Sequence, residues 1–268
     1  MNGGLEAGLT REAPAFFGLV LALSLPFYLL GLWHLPLPGL PNLPASALMA
    51  FMPMAAALIL VYRDRGRGGI VALVLRLTHF GPAARIGWHL AALLIMPAVC
   101  AVEFGVLRLT GSDLPLPQIA PGAVLFMFIA FCIGAIGEEL GWQGYAYPAL
   151  RQRHNALMAA LVLGVVWALW HVIPYGLMGR SAEWILWHSL SAVAMRIIIV
   201  WLFENTRGSI PVAVLFHTMI NLSWALFPVD GSYYDPFITF VILTMAAAVI
   251  VYLWGPATLA GFRAGKGR

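Results

Sequence analysis

Residues 124–136 read Val-Leu-Phe-Met-Phe-Ile-Ala-Phe-Cys-Ile-Gly-Ala-Ile, and the chain continues Gly137-Glu138-Glu139-Leu140-Gly141-Trp142-Gln143-Gly144-Tyr145. The first part is apolar enough to enter a bilayer, yet two adjacent carboxylates close it. A charged group at membrane depth costs about 2.5–3.5 kcal/mol on insertion scales, so such groups are rare and carry function by default. The run decides the fold class. The carboxylates pose the functional question of which other side chains meet them.

Composition agrees with the run. The 268 residues are 62% hydrophobic and 10% charged, with a mean hydropathy of +0.88. Soluble domains carry about 25% charged residues, so this is an integral membrane protein whose partner is the lipid bilayer. The net charge of +4 is spread over short connectors rather than along one helical face. It therefore reads as a topology signal, and nucleic acid is not an expected partner. Cys100 and Cys132 both lie in apolar segments as small hydrophobes, without a disulfide framework or a Cys-based metal site.

A hydrocarbon core about 30 Å thick takes about 20 apolar residues per helix. Eight segments qualify: Pro14–Trp33, Ala45–Tyr62, Gly87–Leu107, Pro121–Tyr145, Leu157–Tyr175, Ala182–Phe203, Ser209–Phe227 and Pro236–Trp254. The expected fold is all-α, a polytopic membrane protein forming one domain over residues 1–268, with its motif-bearing core at about 121–227. The first apolar run, from about Phe16 to Trp33, exceeds the h-region of a signal peptide, and the Ala45-Ser46-Ala47 pattern lies past its end. A retained anchor is expected.

Orientation follows from the basic residues. Arg11, then Arg63, Arg65, Arg67, Arg76 and Arg85, then Arg151 and Arg153, then Arg207, then Arg263, Lys266 and Arg268 alternate onto one side. The other side keeps Arg180 and Arg108. Both termini are therefore expected in the cytoplasm, and Ile70–Thr78, with Arg76 in an apolar stretch, reads as an interfacial helix. The preponderance of Arg over Lys is compatible with a bacterial cytoplasmic membrane.

Within the spans the ionisable residues are His89, Glu103, Glu138, Glu139, His171, His188, Arg196 and His217. His89 reads as interfacial. Glu103 and Arg196 read as a pair or as snorkelling groups, and His188 as a satisfied interhelical hydrogen bond. The remaining set shares a depth. Glu138 lies about 16 Å above the hairpin around Arg151–Asn155, His171 about 21 Å along the next helix, and His217 about 12 Å into the seventh, at 1.5 Å per residue. Asn221 follows His217 by four residues and Gln143 follows Glu139 by four, so each pair shares a helix face.

A carboxylate, two imidazoles and an amide in a water-excluded cavity suit hydrolysis of an amide bond. A carboxylate and a histidine can hold and deprotonate one water, while a second histidine and an asparagine can donate to the oxyanion that follows. The sequence has neither G-x-S-x-G nor H-E-x-x-H. Zinc stays open as a cofactor, since one glutamate and two histidines form a catalytic zinc set, although Asn221 suits an oxyanion site better than a metal.

Glu138-Glu139-x-x-x-Gln143, Trp167-x-x-x-His171 and His217-x-x-x-Asn221 resemble the three motifs, EExxxR, FxxxH and HxxxN/D, of the CPBP intramembrane proteases. That family includes type II CAAX prenyl endopeptidases and bacteriocin-processing or immunity proteins. The resemblance implies an eight-helix membrane endopeptidase of the glutamate or metallo type, acting on a membrane-associated protein or peptide from a site on the cytoplasmic side. By this resemblance Glu138 and His171 activate the water, His217 and Asn221 form the oxyanion site, and Glu139 is a supporting carboxylate.

Two positions depart from the pattern. Trp167 in place of Phe keeps an aromatic ring and is expected to change little. Gln143 in place of Arg removes the counter-ion of Glu139, which is then expected to be protonated or to pair with another cation such as Arg196. An impaired member acting as an immunity or scaffold protein is the alternative that Gln143 supports, with a transporter or proton relay behind it.

Overall fold

The computed structural model describes residues 13–33, 35–37, 40–82 and 86–262. Among the described residues nine α-helices carry the fold: α1 (Ala13–Gly31), α2 (Met52–Leu75), α3 (Ile86–Leu109), α4 (Pro121–Gly141), α5 (Tyr147–Arg151), α6 (Ala156–Leu177), α7 (Ala182–Asn205), α8 (Ile210–Leu226) and α9 (Pro236–Trp254). A five-residue π turn, Trp142–Ala146, joins α4 to α5. A short antiparallel ribbon pairs β1 (Pro36–Leu37) with β2 (Leu40–Pro44), and a 3-10 turn at Ala45–Phe51 leads into α2. Among the described residues, seven helical stretches are long and apolar enough to cross a membrane, and α8 is a shorter apolar helix. The all-α, multi-pass expectation holds, and Arg11, Arg85, Arg263, Lys266 and Arg268, on which the expected orientation draws, lie outside the described residues.

The helix starts are written in the sequence. Asn155, Ser181, Ser209 and Asp235 accept from backbone N–H groups in the first turns of α6, α7, α8 and α9, satisfying donors that have no intrahelical partner. Two boundaries differ from expectation. The helix begun at Met52 runs past Tyr62 to Leu75, with one break at Gly66, where φ is +60°. The polar stretch Arg63–Arg67 ends the hydropathic signal but not the helix, and Gly66 turns the remainder into the separate piece expected near Ile70–Thr78. The fourth segment continues beyond Tyr145 to Arg151 through the π turn.

Burial identifies the central helix. In the most apolar window of α7, 67% of residues are buried, against 28% for α1 and 22% for α9. It packs against α6 and α9, while α8 packs against α3 and α4, and α2 against α4. Between lipid-solvated helices, close approach through small residues supplies much of the association, and the stretch from Gly137 to Tyr145 has this character. Cβ atoms added at Gly137 and Gly141 would lie 2.8 Å from the Ala50 carbonyl oxygen and 2.4 Å from Pro53 backbone atoms. The two glycines flank Glu138 and Glu139 and let α4 press onto the start of α2. From the other side, the Tyr28 hydroxyl of α1 donates to the Trp170 carbonyl, and the Trp170 indole donates to Ser24 Oγ, both at 2.8 Å.

Glu103 and Arg196 do not pair. The Glu103 carboxylate accepts from Asp235 N at 2.7 Å and Thr239 Oγ1 at 2.5 Å. It faces the start of α9, whereas Arg196 faces α4. Gly141→Ala should destabilise the protein by about 1–3 kcal/mol through overpacking. Gly122→Ala, where nothing lies within 4 Å of the added carbon, should be silent. Thermal unfolding in detergent separates the two.

Candidate active site

Glu138 and Glu139 occupy consecutive positions on α4, so their side chains diverge by about 100° around the helix. Glu138 faces a cavity of about 370 Å³ whose wall also carries Trp167, His171, His217, Asn221 and His188. Glu139 points into the protein and is fully buried.

Arg196 of α7 meets Glu139. Its Nη1 donates to both carboxylate oxygens, at 3.0 and 2.8 Å, and neither side chain has solvent exposure. His217 Nδ1 donates to Glu139 Oε1 at 2.8 Å, because a carboxylate oxygen with a paired cation accepts. Its other nitrogen, Nε2, is left toward the cavity, 3.9 Å from Glu138 Oε1. Of the two states expected for Glu139, the structure has the cation-paired one. The missing in-helix arginine is replaced from the neighbouring helix. Gln143 is buried, and neither of its amide atoms bonds a described residue. It is not the partner of Glu139.

Trp167 is the second correction. Its indole Nε1 donates to Glu138 Oε2 at 2.7 Å, with Trp142 Nε1 a longer donor at 3.3 Å. A phenylalanine has no such N–H, so the substitution adds a hydrogen bond to a buried carboxylate; hydrogen bonds to charged groups contribute about 1.5–3 kcal/mol. The same ring lies 4.4 Å from the Arg196 guanidinium carbon in a cation–π contact. His171 and His217 pack edge-on against it at 5.4 and 5.3 Å. Trp167 thus touches the carboxylate, the arginine and both histidines.

His171 Nδ1 donates to the Trp167 carbonyl at 2.9 Å. A carbonyl only accepts, so a proton sits on Nδ1, and in the neutral ring Nε2 carries the lone pair. Asn221 lies one turn beyond His217 on the same wall. His188, as expected, makes interhelical hydrogen bonds, to the Tyr175 and Tyr234 hydroxyls at 3.0 Å each, with Trp184 stacked on it at 4.5 Å. Among the described residues, no group of three or more His, Cys, Asp or Glu side chains is arranged to hold a metal ion.

Sequence spacing therefore brings Glu138, Trp167, His171, His217 and Asn221 to one cavity, and leaves Glu139 and Gln143 behind its wall. Trp142 escaped notice although it follows Glu138 by four residues, the spacing that puts two side chains on one face. Tyr175 and Tyr234 carried no signal, since a membrane tyrosine is usually interfacial.

Residues 120–223 match the family model described as type II CAAX prenyl endopeptidase Rce1-like. The chain is also 31% identical over 177 residues to the CAAX prenyl protease 2 of Methanococcus maripaludis, covering 59% of this chain and 63% of that protein. The resemblance read from the three motifs is borne out over the segment that carries them.

If the charge on Glu139 must be balanced, Arg196→Gln should cost about 3–5 kcal/mol of stability. Gln143→Arg in the Arg196→Gln background should recover part of that loss, because it restores a guanidinium one turn from Glu139. Gln143→Arg alone, adding a second buried cation, should destabilise. A double-mutant cycle of melting temperatures reads all three.

Proposed function

We propose that this chain is an intramembrane endopeptidase of the Rce1-like kind, hydrolysing a peptide bond of a membrane-associated protein or peptide in CAAX-type or related processing. The observation that carries the reading is the Glu138 carboxylate, fixed at one oxygen by Trp167 and presented to a cavity lined by His171, whose Nδ1 is taken up by the Trp167 carbonyl. Glu138 and the His171 lone pair together orient a water against the scissile carbonyl, and Glu138 Oε1 takes the proton as the new C–O bond forms. The proton then passes to the leaving amine as the C–N bond breaks.

The negative charge that develops on the carbonyl oxygen needs donors held in place beforehand. Asn221 supplies an amide N–H. His217 already uses its Nδ1 proton on Glu139, so donation to the oxyanion requires a second proton on Nε2, making it an imidazolium. Glu139 is the carboxylate that accompanies this cation, and Arg196 holds Glu139 in place. The pair behind the wall thereby serves the site without touching substrate.

Gln143 favours a non-proteolytic immunity or scaffold role only if Glu139 lacks a counter-ion, and Arg196 supplies that charge. Metal chemistry would enlist Glu138, His171 and His217, the donors that face the cavity. Activity that is unchanged by a zinc chelator supports the water mechanism, and activity lost to chelator and restored by Zn²⁺ supports the metal one.

Glu138→Gln and His171→Ala should each lower kcat by about 10²–10⁴-fold, the usual share of general acid–base catalysis. Cleavage of a membrane-associated reporter peptide in proteoliposomes measures it, and unchanged rates in both variants would refute the assignment. Trp167→Phe, which restores the family's residue, should lower kcat/KM by about tenfold or more through the lost hydrogen bond to Glu138.

A further inference from the structure

A second buried hydrogen-bonded network lies beside the catalytic set, and the water-activation step does not use it. His188 of α7 is 7% exposed, and both of its ring nitrogens are occupied. Nε2 meets the Tyr175 hydroxyl and Nδ1 the Tyr234 hydroxyl, at 3.0 Å each. A neutral imidazole donates from one nitrogen and accepts at the other, so one tyrosine accepts from the ring and the other donates to it. His188 lines the same cavity as His171, yet it has no nitrogen left over to act as a base or a metal ligand.

The network continues away from the cavity. Tyr234 is followed by Asp235, whose N–H donates to Glu103 Oε1 at 2.7 Å, and Thr239 Oγ1 donates to Glu103 Oε2 at 2.5 Å. Glu103 is fully buried on α3 and does not line the cavity. Both of its oxygens are spent on the start of α9, and this holds the connector that presents Tyr234. A carboxylate at membrane depth is costly, and here it anchors one end of a chain of hydrogen bonds.

The other end of the chain reaches His171. The Trp167 carbonyl holds His171 Nδ1 at 2.9 Å, but a single hydrogen bond leaves the ring able to turn about that contact. Its neighbours set its plane. Tyr175 is stacked on it, with centroids 5.6 Å apart and planes 19° from parallel, while Trp170 and Trp167 meet it edge-on at 4.6 and 5.4 Å. Offset stacks and edge contacts at such distances are the preferred aromatic arrangements. Tyr175 follows His171 by four residues, but α6 alone does not hold it. Pro174 lies between them and has no N–H to give to the Trp170 carbonyl, which accepts from the Tyr28 hydroxyl instead. The turn that carries Tyr175 therefore has one internal constraint fewer, and the bond to His188 ties it to α7.

We infer that Tyr175 and His188 are positioning residues for the hydrolysis. Hydrogen bonds running from Glu103 through the α8–α9 connector, Tyr234 and His188 lock the Tyr175 ring, and that ring sets the plane in which His171 presents Nε2 to the attacking water. This rests on the protease reading and extends it to residues outside the three motifs. The Nε2 lone pair lies in the ring plane, so a turned ring aims it away from the water, and a misplacement of about 1 Å can cost about 10²-fold in rate.

Tyr175→Phe keeps the stacked ring and removes its anchor, while His188→Phe keeps a ring against Trp184 and removes both hydrogen bonds. With a membrane-associated reporter peptide in proteoliposomes, each is expected to lower kcat by about 10–10²-fold with KM nearly unchanged. The double variant is expected to fall no further than His188→Phe alone, since both changes break one connection. A raised KM at unchanged kcat would make these residues a substrate subsite and overturn the proposal, as would losses that simply multiply in the double variant. Tyr175→Phe removes a single oxygen atom and carries the test if His188→Phe does not fold.

A second readout needs no turnover. In protein labelled with nitrogen-15 at histidine, the His171 ring signal, assigned by its absence from His171→Ala, is expected to shift or broaden in Tyr175→Phe and in His188→Phe. An unchanged signal in both would overturn the positioning role. Wild-type protein that does not cleave would fail the protease reading, and the ring signal would still decide whether the chain of hydrogen bonds orients His171.

Discussion

The rest of the site depends on a carboxylate that has no access to water. Glu139 is fully enclosed, and an isolated ion there would be driven to neutralise. Arg196 Nη1, shared between both carboxylate oxygens, and a further hydrogen bond from His217 satisfy it from two other helices. Three helices, α4, α7 and α8, are thereby pinned at one depth. Arg196 is itself covered by the face of Trp167, which brings in α6. The cavity wall that carries Glu138 and His217 is the outer surface of this enclosed cluster.

Seen this way, the two departures from the family pattern are not two weaknesses. Gln143 gives up a charge that α7 supplies instead. Trp167 replaces a ring that could only pack with one that also donates to Glu138 and faces Arg196. A guanidinium beside an indole is a favourable pairing that phenylalanine makes less well, since Trp is the best of the three aromatic partners for a cation. The relocated arginine and the larger ring occupy one another's surroundings, and each gives the other a reason to be there.

Much of this was legible in the sequence, for identifiable reasons. Apolar runs of bilayer length and the capping residues Asn155, Ser181, Ser209 and Asp235 mark where helices lie and begin. Motif order and depth bring Glu138, His171, His217 and Asn221 to one place. Where the signal is hydropathy, it fails once a helix becomes polar, so the extension of α2 to Leu75 was invisible. Where the partner comes from another helix, spacing along one helix cannot choose it: the sequence offers Arg196 to both Glu103 and Glu139, and only the packing of α7 selects Glu139. The indole N–H of Trp167 is present in the sequence, but its direction is set by the packing of α6 on α4 and not by any local pattern.

The distance along the chain between Glu139 and its arginine bears on how the protein is made. In the family's pattern the two charges lie one turn apart and enter the membrane together. Here they are separated by 57 residues, with α5 and α6 between them. During synthesis Glu139 leaves the ribosome 57 residues ahead of its counter-ion. The apolar run of residues 124–136 must therefore carry α4 into the bilayer unaided, with Glu139 protonated or held near the insertion machinery. The pair closes only when α7 arrives. Completion of the catalytic wall is thus tied to a late step of membrane assembly, and a chain halted before α7 holds an exposed carboxylate, a feature by which quality control could recognise it as unfinished.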